Sequence, residues 1–340
     1  MEYFETVKQT YVENWPAGLM NHSISTVHFP LSEDEVNALI NMNYMTVEDG
    51  RTPTEDDLRI AAKLAERIDG YIAQFPRGAF VRLGSRSPKD SYEAHKKSFR
   101  YHSGREAITA LCDSERIHDD LHLAKANNYT PHIVVREWIV IKPWQEFRCF
   151  YKNRRLVGIS QYNYLKREVF PEVVEMAGSI EWAIRIKSGM VANLLPADDV
   201  VVDYIYKQRK YGNEIINEAI MLEVNPFIIY TDPCLFNWSK DKFDQLEFRY
   251  YGQFPKEILR LVKEENHHKL LVDAKTLEEN FRQYVKDYKI ELTPKKSREV
   301  ERYLGLYKIE PSEQIAYELF SVVADQAYKL SGYWYRKTSI

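Results

Sequence analysis

The stretch that decides the fold is VVVDYIYKQRKYGNEIINEAIMLEVNPF, residues 200–227. It predicts two apolar β-strands joined by a polar turn around Asn213. Asp203 interrupts the first strand, and Glu223 and Asn225 interrupt the second. Because side chains alternate between the two faces of a strand, Glu223 and Asn225 point to the same face. A hairpin centred on Asn213 places Asp203 opposite Glu223, so the spacing predicts that the three oxygen-bearing side chains converge.

The chemistry of this cluster predicts a metal site. Two carboxylates held side by side repel each other unless a cation lies between them. Mg²⁺ prefers hard oxygen ligands in octahedral geometry and is usually shared with nucleotide phosphates, so two carboxylates and an amide suit it. We therefore predict that Asp203, Glu223 and Asn225 are ligands of Mg²⁺. The alternative is a sheet with one solvated face, on which single acidic side chains are common.

Three arginines lie within strands that are otherwise apolar. Arg82 lies in AFVRL, Arg136 in IVVREWIVI and Arg148 in EFRCF. A charged group in such a strand must reach water, a counter-ion or a ligand, and phosphate oxygens match the planar guanidinium. Each arginine could instead pair with a neighbouring carboxylate, and Glu146, two residues before Arg148, is one such partner. Three arginines beside a candidate metal site favour a polyphosphate ligand.

The segment that follows the Arg82 strand is a candidate phosphate loop. Residues 84–91 read GSRSPKDS and offer backbone N–H groups, the hydroxyls of Ser85 and Ser87, and cationic side chains. A loop of this kind can cover phosphates. Loops rich in Ser, Pro and Lys are also common as plain surface segments, so that alternative stays open.

The rest of the chain predicts an α+β organisation. Apolar residues at helical spacing predict helices, and runs rich in Val and Ile predict short strands. Helices are predicted at 32–40, 55–75, 105–127, 172–195, 255–265, 276–288 and 312–331, and strands at 79–83, 133–141, 146–151, 156–162, 200–207 and 219–225. This order is not the regular alternation of βαβ units. No G-x-G-x-x-G motif follows a strand and no P-loop motif is present, so neither nucleotide-binding fold of those types has support.

Composition and charge argue against several classes of protein. The 340 residues are 44% hydrophobic and 29% charged, as in ordinary globular proteins, and the net charge of −3 gives no support for nucleic acid as a partner. The three cysteines are widely spaced, which argues against disulfides or a zinc site built on them. No apolar run is long enough to span a membrane, and the N-terminus has no secretory signal. We therefore expect a cytoplasmic protein.

Several blocks, in order along the chain, resemble the cell-division-cycle-123 family of atypical ATP-grasp proteins, which assist the assembly of eukaryotic translation initiation factor two. Residues 146–150, EFRCF, and 158–161, GISQ, match motifs of that family directly. Residues 80–90 resemble its FPKLNWSAPRD block, and residues 223–227, EVNPF, resemble the end of its IDFNPF block. The resemblance runs from about Trp15 to Trp238 in separated blocks, and their order and spacing make it specific.

The resemblance implies an ATP-grasp fold in which two lobes with antiparallel sheets clamp ATP, with Mg²⁺ held by Asp203, Glu223 and Asn225. It also implies that a hinge around VREW contacts adenine and that other residues contact phosphate. The nucleotide-contacting residues implied in this way are Arg82, Ser85, Ser87, Arg136, Glu137, Trp138, Ile139, Glu146 and Arg148. The chain departs from the family at Arg82, where the family has Lys, at Glu223, where it has Asp, and at Tyr162, where it has a phosphate-side Arg.

Three regions and two main classes of function are expected. The regions are an N-terminal lobe at 1–132, a central ATP-grasp lobe with the metal site at 133–254, and a helical extension at 255–340. The first function is a nucleotide-dependent assembly factor for a protein client, which the resemblance implies to be translation initiation factor two. The alternative is an ATP-dependent carboxylate–amine ligase or another phosphoryl-transfer enzyme. A nucleotide-free binding module that kept the fold is a third alternative.

Overall fold

The structure, a computed structural model, describes residues 2–166, 169–212, 214–252 and 334–337. The helices predicted at 255–265, 276–288 and 312–331 lie outside these residues, as does most of the predicted extension at 255–340. Within the described ranges the order of elements is α+β, as the sequence predicts. No helix in this part of the chain has the length and apolar character needed to cross a membrane.

Helices and strands alternate irregularly along the chain. The helices are α1 (Glu2–Lys8), α2 (Ala17–Met20), α3 (Glu33–Met42), α4 (Tyr44–Glu48), α5 (Glu55–Ile72), α6 (Tyr92–Lys96), α7 (Gly104–Cys112), α8 (Glu115–Ala126) and α9 (Pro171–Val191). The strands are β1 (Thr26–Pro30), β2 (Ala79–Leu83), β3 (His132–Glu137), β4 (Glu146–Lys152), β5 (Arg155–Gln161), β6 (Val200–Tyr211), β7 (Glu214–Pro226), β8 (Glu247–Tyr250) and β9 (Trp334–Lys337).

The two long N-terminal helices begin where side chains satisfy free backbone N–H groups. At the start of α3 the backbone N–H of Glu35 donates to Ser32 Oγ at 3.2 Å, and the N–H of Ser32 donates to the Glu35 carboxylate at 2.7 Å. This reciprocal pair is a capping box. Thr54 and Asp57 form the same box at the start of α5. The caps explain why both helices begin where the sequence predicts them.

A three-stranded antiparallel sheet, in the order β1-β3-β2, organises the N-terminal part of the chain. One face packs against α3, α5, α7 and α8 in a core that includes Leu64 and Ile133. The opposite face carries Arg82 and Arg136, since the register pairs Arg82 with Val134 and Phe80 with Arg136. Val134 packs into the core of the second sheet, so this arginine-bearing face is turned toward that sheet.

Six strands form the second sheet, in the order β7-β6-β4-β5-β8-β9. Neighbouring strands are antiparallel except β5 and β8, which are parallel. Helix α9 packs across one face, where its Ile180 and Ile184 join Tyr204 and Met221 in a buried core. A smaller aromatic cluster around Phe150 covers part of the other face. The second sheet is therefore held by apolar packing on both sides.

The structure corrects several predicted boundaries. The single helix predicted at 105–127 is two helices, α7 and α8. They separate at Ser114, whose Oγ accepts from the backbone N–H of Ile117 and starts a new helix. The carbonyl of Ser114 also accepts from Asn43 Nδ2 at 3.0 Å, which fixes the break from another helix. The strand predicted at 133–141 ends at Glu137, whereas β6 and β7 extend further toward their turn than predicted.

Candidate functional site

The hairpin of β6 and β7 has the predicted register. Asp203 pairs with Glu223, and Val201 pairs with Asn225, with a bulge directly after Asp203. On its other side Asp203 pairs with Arg148 of β4. Residues paired across antiparallel strands share a face, so the three side chains predicted to converge lie on one face of the sheet together with Arg148.

Asp203 is buried and is held by Arg148. Arg148 Nε donates to Oδ1 at 2.8 Å, and Nη2 donates to Oδ2 at 2.7 Å. Nδ2 of Asn225 also donates to Oδ2, at 3.2 Å. Asp203 is only 1% exposed, so these contacts compensate a charge that has little access to water. Arg148 therefore pairs with Asp203 and not with Glu146, the partner that the sequence offered as an alternative.

Glu223 is held by an arginine from the other sheet. Arg82 of β2 donates through Nη1 to Oε1 of Glu223. Its Nε and Nη2 donate to the carbonyl oxygens of Leu83 and Ser85. Burial alone raises the pKa of the Glu223 carboxyl, but Arg82 and Lys89 outweigh burial and hold that pKa well below its usual range. The ion pair of Arg82 with Glu223 thus joins the two sheets beside the predicted metal site.

A cleft of about 550 Å³ opens next to these groups. Its polar end is built from three separate parts of the chain. They are the loop at 84–91, helix α8, and strand β7 with the segment that follows it. These parts contribute Ser85, Ser87, Arg116, Asp120, Glu223 and Asn225 to the lining. The cleft has the size of a small-molecule site.

Two cations in the cleft, Lys89 and Arg116, have no carboxylate partner among the residues that the structure describes. Arg86 pairs with Asp120 at 3.4 Å, whereas Lys89 Nζ donates to the neutral hydroxyl of Tyr162 at 3.0 Å. The side chain of Arg116 makes no hydrogen bond or ion pair with any residue that the structure describes. Burial and the nearby Arg86 lower the pKa of the Arg116 guanidinium, which reflects the crowding of positive charge. Arg116 and Lys89 therefore offer positive charge to an anionic ligand.

Tyr162 occupies the position where the resemblance has an arginine. The guanidinium of Arg148 lies 4.9 Å from the centre of its ring, and the ammonium of Lys89 lies 5.4 Å from it. Both distances fit cation–π contacts. Tyr162 thus holds two cations of the cleft in place and does not supply a third.

Glu146 can bind a proton near neutral pH. Burial raises the pKa of its carboxyl to about 7, while Lys89 lowers that pKa and the charge of Asp203 raises it further. Glu146 lies at the start of β4, close to the cleft but outside its lining. Perturbed pKa values of this kind cluster at functional sites, although buried charge networks also produce them.

Arg136 and the residues that follow it do not line this cleft. Arg136 is 2% exposed. It donates to Thr26 Oγ1 at 3.0 Å, to the carbonyl of Leu222 at 2.6 Å and to Ser23 Oγ at 2.6 Å. These contacts tie β3 to β7. Residues 137–139 also lie outside the cleft lining. The adenine contacts expected of residues 136–139 stay a prediction.

Five acidic or basic residues of the cleft were not among the predicted site residues. Two of them, Arg86 and Lys89, lie in the predicted phosphate loop, and three lie outside it: Arg116, Asp120 and Asp232. Arg116 and Asp120 are separated by one turn of α8 and share a face. Such a pair is common on exposed helices, so the sequence carries no functional signal there. Asp232 follows the EVNPF block within the stretch, up to about Trp238, that resembles the family, and that resemblance was the available signal for it.

The oxygen donors at the polar end fit a hard divalent cation that is shared with a ligand. Glu223, Asn225 and Asp232 line the cleft, whereas both carboxylate oxygens of Asp203 already accept from Arg148. In the described part of the chain, no group of three or more His, Cys, Asp or Glu side chains could hold a metal ion. A Mg²⁺ ion here would need phosphate oxygens to complete its coordination. The assignment of Asp203, Glu223 and Asn225 as ligands stays a prediction.

The three cysteines, Cys112, Cys149 and Cys234, are buried. Burial raises the pKa of the Cys149 and Cys234 thiols. A thiol with a raised pKa carries little thiolate at neutral pH and is a poor nucleophile. Cys149 and Cys234 are therefore structural side chains.

Comparison with known proteins places the chain in a family. A family model described as D123 matches residues 31–288, which is more than half of the chain. The chain belongs to the D123 family. The arginines of the cleft and the paired strands β6 and β7 lie within the matched region, whereas Tyr3, Val7, Thr10 and Tyr11 of the cleft lining precede it. The predicted resemblance is confirmed.

Three relatives of this D123 protein are each named translation initiation factor eIF2 assembly protein. The chain is 32% identical to that of Vanderwaltozyma polyspora over 139 residues, which cover 39% of this chain and 34% of the relative. It is 26% identical to that of Candida albicans over 196 residues, or 53% and 55% of the two chains. It is 27% identical to that of Schizosaccharomyces pombe over 243 residues, or 64% and 69%. The matched parts therefore span from about a third to about two-thirds of these relatives.

A solved structure supports the fold of this D123 protein. Cdc123 from Schizosaccharomyces pombe matches with a TM-score of 0.54 at 19% sequence identity, over 69% of this chain and 90% of that chain. At this level of identity the similarity establishes the fold alone. The predicted α+β fold is confirmed, and it is the fold of Cdc123.

Proposed function

We propose that this D123 protein is an ATP- and Mg²⁺-binding assembly factor, and that the polar end of the cleft holds the triphosphate of ATP. The observation that carries the proposal is the side chain of Arg116. It lines the cleft and makes no hydrogen bond or ion pair within the described residues. A guanidinium among other cations gains most from an anionic ligand, and phosphate oxygens match its geometry. Lys89, on the loop at 84–91, adds a second cation.

The loop and α8 would bind the phosphates. Arg116 and Lys89 would donate to phosphate oxygens, and the hydroxyls of Ser85 and Ser87 would add further hydrogen bonds with the backbone N–H groups of the loop. Arg148 lines the same end and would contact phosphate while it keeps Asp203 in place.

The carboxylate side of the cleft would hold the metal. Glu223 and Asn225 would bind Mg²⁺ from the lining, and Asp203 would support Asn225 through its hydrogen bond. When bound, Mg²⁺ would neutralise phosphate charge. Arg82 would keep the Glu223 carboxylate ionised and fixed in direction. Contacts of adenine with residues 136–139, implied by the resemblance, form part of the same proposal.

The client is the second part of the proposal. The relatives named as eIF2 assembly proteins motivate an initiation factor of that class as the client. Because Arg82 and Glu223 join the two sheets at the cleft, a nucleotide bound there would fix their relative position and so shape the surface that the client meets.

Calorimetry tests the nucleotide part of the proposal. We expect the wild-type chain to bind ATP in the presence of MgCl₂ and the Arg116→Ala variant to bind at least about tenfold more weakly, because a charge-assisted hydrogen bond contributes roughly 1.5–3 kcal/mol. Arg59→Ala is the matched control, since among the described residues Arg59 pairs only with Asp56, on the exposed surface of α5. Equal affinity of wild type and Arg116→Ala would exclude the proposed phosphate site.

The client requires a separate assay. Purified translation initiation factor two should be retained by the immobilised chain more strongly with ATP and MgCl₂ than without, and Arg116→Ala should lose that difference. Release of ADP that depends on an added carboxylate or amine would instead favour the ligase alternative.

A further inference from the structure

Two histidines face each other on α8, away from the nucleotide cleft. His118 and His122 are one helical turn apart, their Nε2 atoms are separated by 3.2 Å, and their ring centres are 4.5 Å apart. Nε2 of His118 also lies 3.1 Å from Oγ1 of Thr46, on α4. Donor atoms from two helices thus meet around a single imidazole nitrogen.

Ordinary hydrogen bonding satisfies this arrangement poorly. An imidazole nitrogen carries either one proton or one lone pair, and both lie in the plane of the ring. Nε2 of His118 therefore cannot form two well-directed hydrogen bonds at once, one with Thr46 and one with His122. If hydrogen bonds alone hold these groups together, one of the two contacts must therefore have poor hydrogen-bond geometry.

A transition-metal ion would satisfy the same atoms. Zinc binds imidazole nitrogen at about 2.0–2.1 Å, so two nitrogens on one ion lie roughly 2.9–3.4 Å apart for bond angles between a right angle and a tetrahedral angle. The observed separation of 3.2 Å falls in that range. Histidines at positions i and i+4 of a helix are also the pair with which helices present imidazoles to zinc. His122 is exposed and His118 is half-buried, so an ion can reach them.

We propose that His118 and His122 form a binding site for a divalent transition-metal ion of the zinc class, separate from the nucleotide site. The hydroxyl of Thr46 is the nearby oxygen, and water fills the remaining positions. The described residues provide no set of three His, Cys, Asp or Glu side chains around the pair, so the ion is exchangeable. A bound ion would link α8 to α4, and α8 is the helix that carries Arg116 into the cleft.

The surroundings of His122 favour its neutral imidazole. Burial lowers the pKa of His122, and His118 and Lys125 lower it further, whereas Asp119 raises it.

A second histidine pair provides an internal comparison. His28 and His132, on β1 and β3, have their Nδ1 atoms 3.0 Å apart. In the described structure no third side chain forms a hydrogen bond with those two nitrogens, whereas Thr46 lies within hydrogen-bond distance of His118. The comparison therefore isolates the contribution of the helical pair and Thr46.

Zinc titration of the full chain tests the proposal. The protein is first stripped of metal with a chelator and is then titrated with ZnCl₂ in a calorimeter without nucleotide. The buried cysteines do not compete for the ion. We expect a saturable isotherm for wild type, its loss in His122→Ala, and its retention in the matched variant His132→Ala. Circular dichroism at the same temperature checks that the exposed substitution His122→Ala leaves the chain folded.

Cobalt provides a second readout. Co²⁺ added in place of Zn²⁺ should give visible absorption bands in wild type and in His132→Ala but not in His122→Ala. Absence of Zn²⁺ binding by wild type would overturn the proposal. Binding that survives His122→Ala but is lost in His132→Ala would also overturn it and would assign the ion to the strand pair.

Discussion

Arg148 and Asp203 form a buried ion pair behind the polar end of the cleft. Side-chain exposure is 6% for Arg148 and 2% for Asp203. Breaking such a pair from one side leaves an uncompensated charge, which costs far more than the pair itself contributes. The stability of the second sheet and the shape of the cleft therefore depend on the same two residues.

The first prediction concerns this ion pair. We expect Asp203→Ala to lower the free energy of unfolding by about 3–5 kcal/mol, because Arg148 loses its buried partner. Asp198→Ala is the control, since Asp198 pairs with Arg154 and its side chain is 70% exposed, and it should cost less than about 1 kcal/mol. Urea denaturation followed by tryptophan fluorescence measures both. Similar losses in the two variants would show that burial of the pair has no energetic consequence.

The raised pKa of the Glu146 carboxyl makes the free energy of unfolding depend on pH. The carboxyl has a pKa of about 7 in the folded chain, against 4.5 without perturbation. Because the folded state favours the protonated form, its contribution to stability is complete below pH 4.5, declines as the pH rises toward 7, and levels off above it. The size of the decline is at most about 3 kcal/mol.

The second prediction follows from this decline in stability as the pH rises. Between pH 5 and pH 8, the wild type should lose more unfolding free energy than Glu146→Gln, which cannot ionise. Glu55→Gln, at the exposed start of α5, should keep the wild-type slope. Urea denaturation at both pH values gives the comparison. Parallel pH profiles for wild type and Glu146→Gln would contradict the raised pKa.

At the scale of residues, the sequence predicts the strand face on which a side chain lies better than it predicts the residue with which that side chain pairs. The convergence of Asp203, Glu223 and Asn225 follows from strand alternation and from the length of one hairpin, both of which are local. The pairing of Arg148 with Asp203 depends on β4 lying beside β6, and these strands are separated by another hairpin strand and a helix. Glu146 lies two residues before Arg148 in the chain and was the partner that a local pattern could offer.

At the scale of elements, periodicity and caps predict most of the fold. Strand β2 coincides with the prediction at 79–83, and helices α3 and α5 begin within one residue of the starts predicted at residues 32 and 55. The break between α7 and α8 was missed because Asp113 and Ser114 lie in an amphipathic pattern that continues across them. A hydrogen bond from Asn43, distant in the chain, fixes that break.

The third prediction concerns the contact of α7 with α5. A Cβ atom at residue 104 would overlap the backbone carbonyl oxygen of Ala65, and Gly104 donates its N–H to Asp69 at 2.7 Å. We expect Gly104→Ala to destabilise the chain by about 1–3 kcal/mol or more, because a backbone atom cannot move aside as a side chain can.

Gly70→Ala is the matched control for that substitution. Gly70 lies in α5 with no atom within 4 Å of a new Cβ atom. Alanine is the better helix former, so Gly70→Ala should stabilise the chain by roughly 0.5–1 kcal/mol. Thermal denaturation distinguishes the two variants by the sign of the shift in Tm. A shift of the same sign in both would contradict the close approach of α7 to α5.

At the scale of the whole molecule, the candidate site lies where the two sheets and helix α8 meet. Arg82 reaches from the first sheet to Glu223, and Arg136 reaches from the first sheet to the carbonyl of Leu222. Arg116 reaches the cleft from helix α8, a third separate segment of the chain. No local pattern brings these segments together, which is why the sequence predicted the metal-side residues and the phosphate loop but not the cation on α8.

A crystal structure of the chain with a non-hydrolysable ATP analogue and Mn²⁺ tests the central claim most directly. Manganese replaces magnesium at hard oxygen sites, and its anomalous scattering locates it independently of the nucleotide. We expect the β- and γ-phosphates to lie within hydrogen-bond distance of Arg116 and Lys89, with the anomalous peak beside Glu223 and Asn225. An analogue bound elsewhere, or an anomalous peak away from those two side chains, would contradict the account.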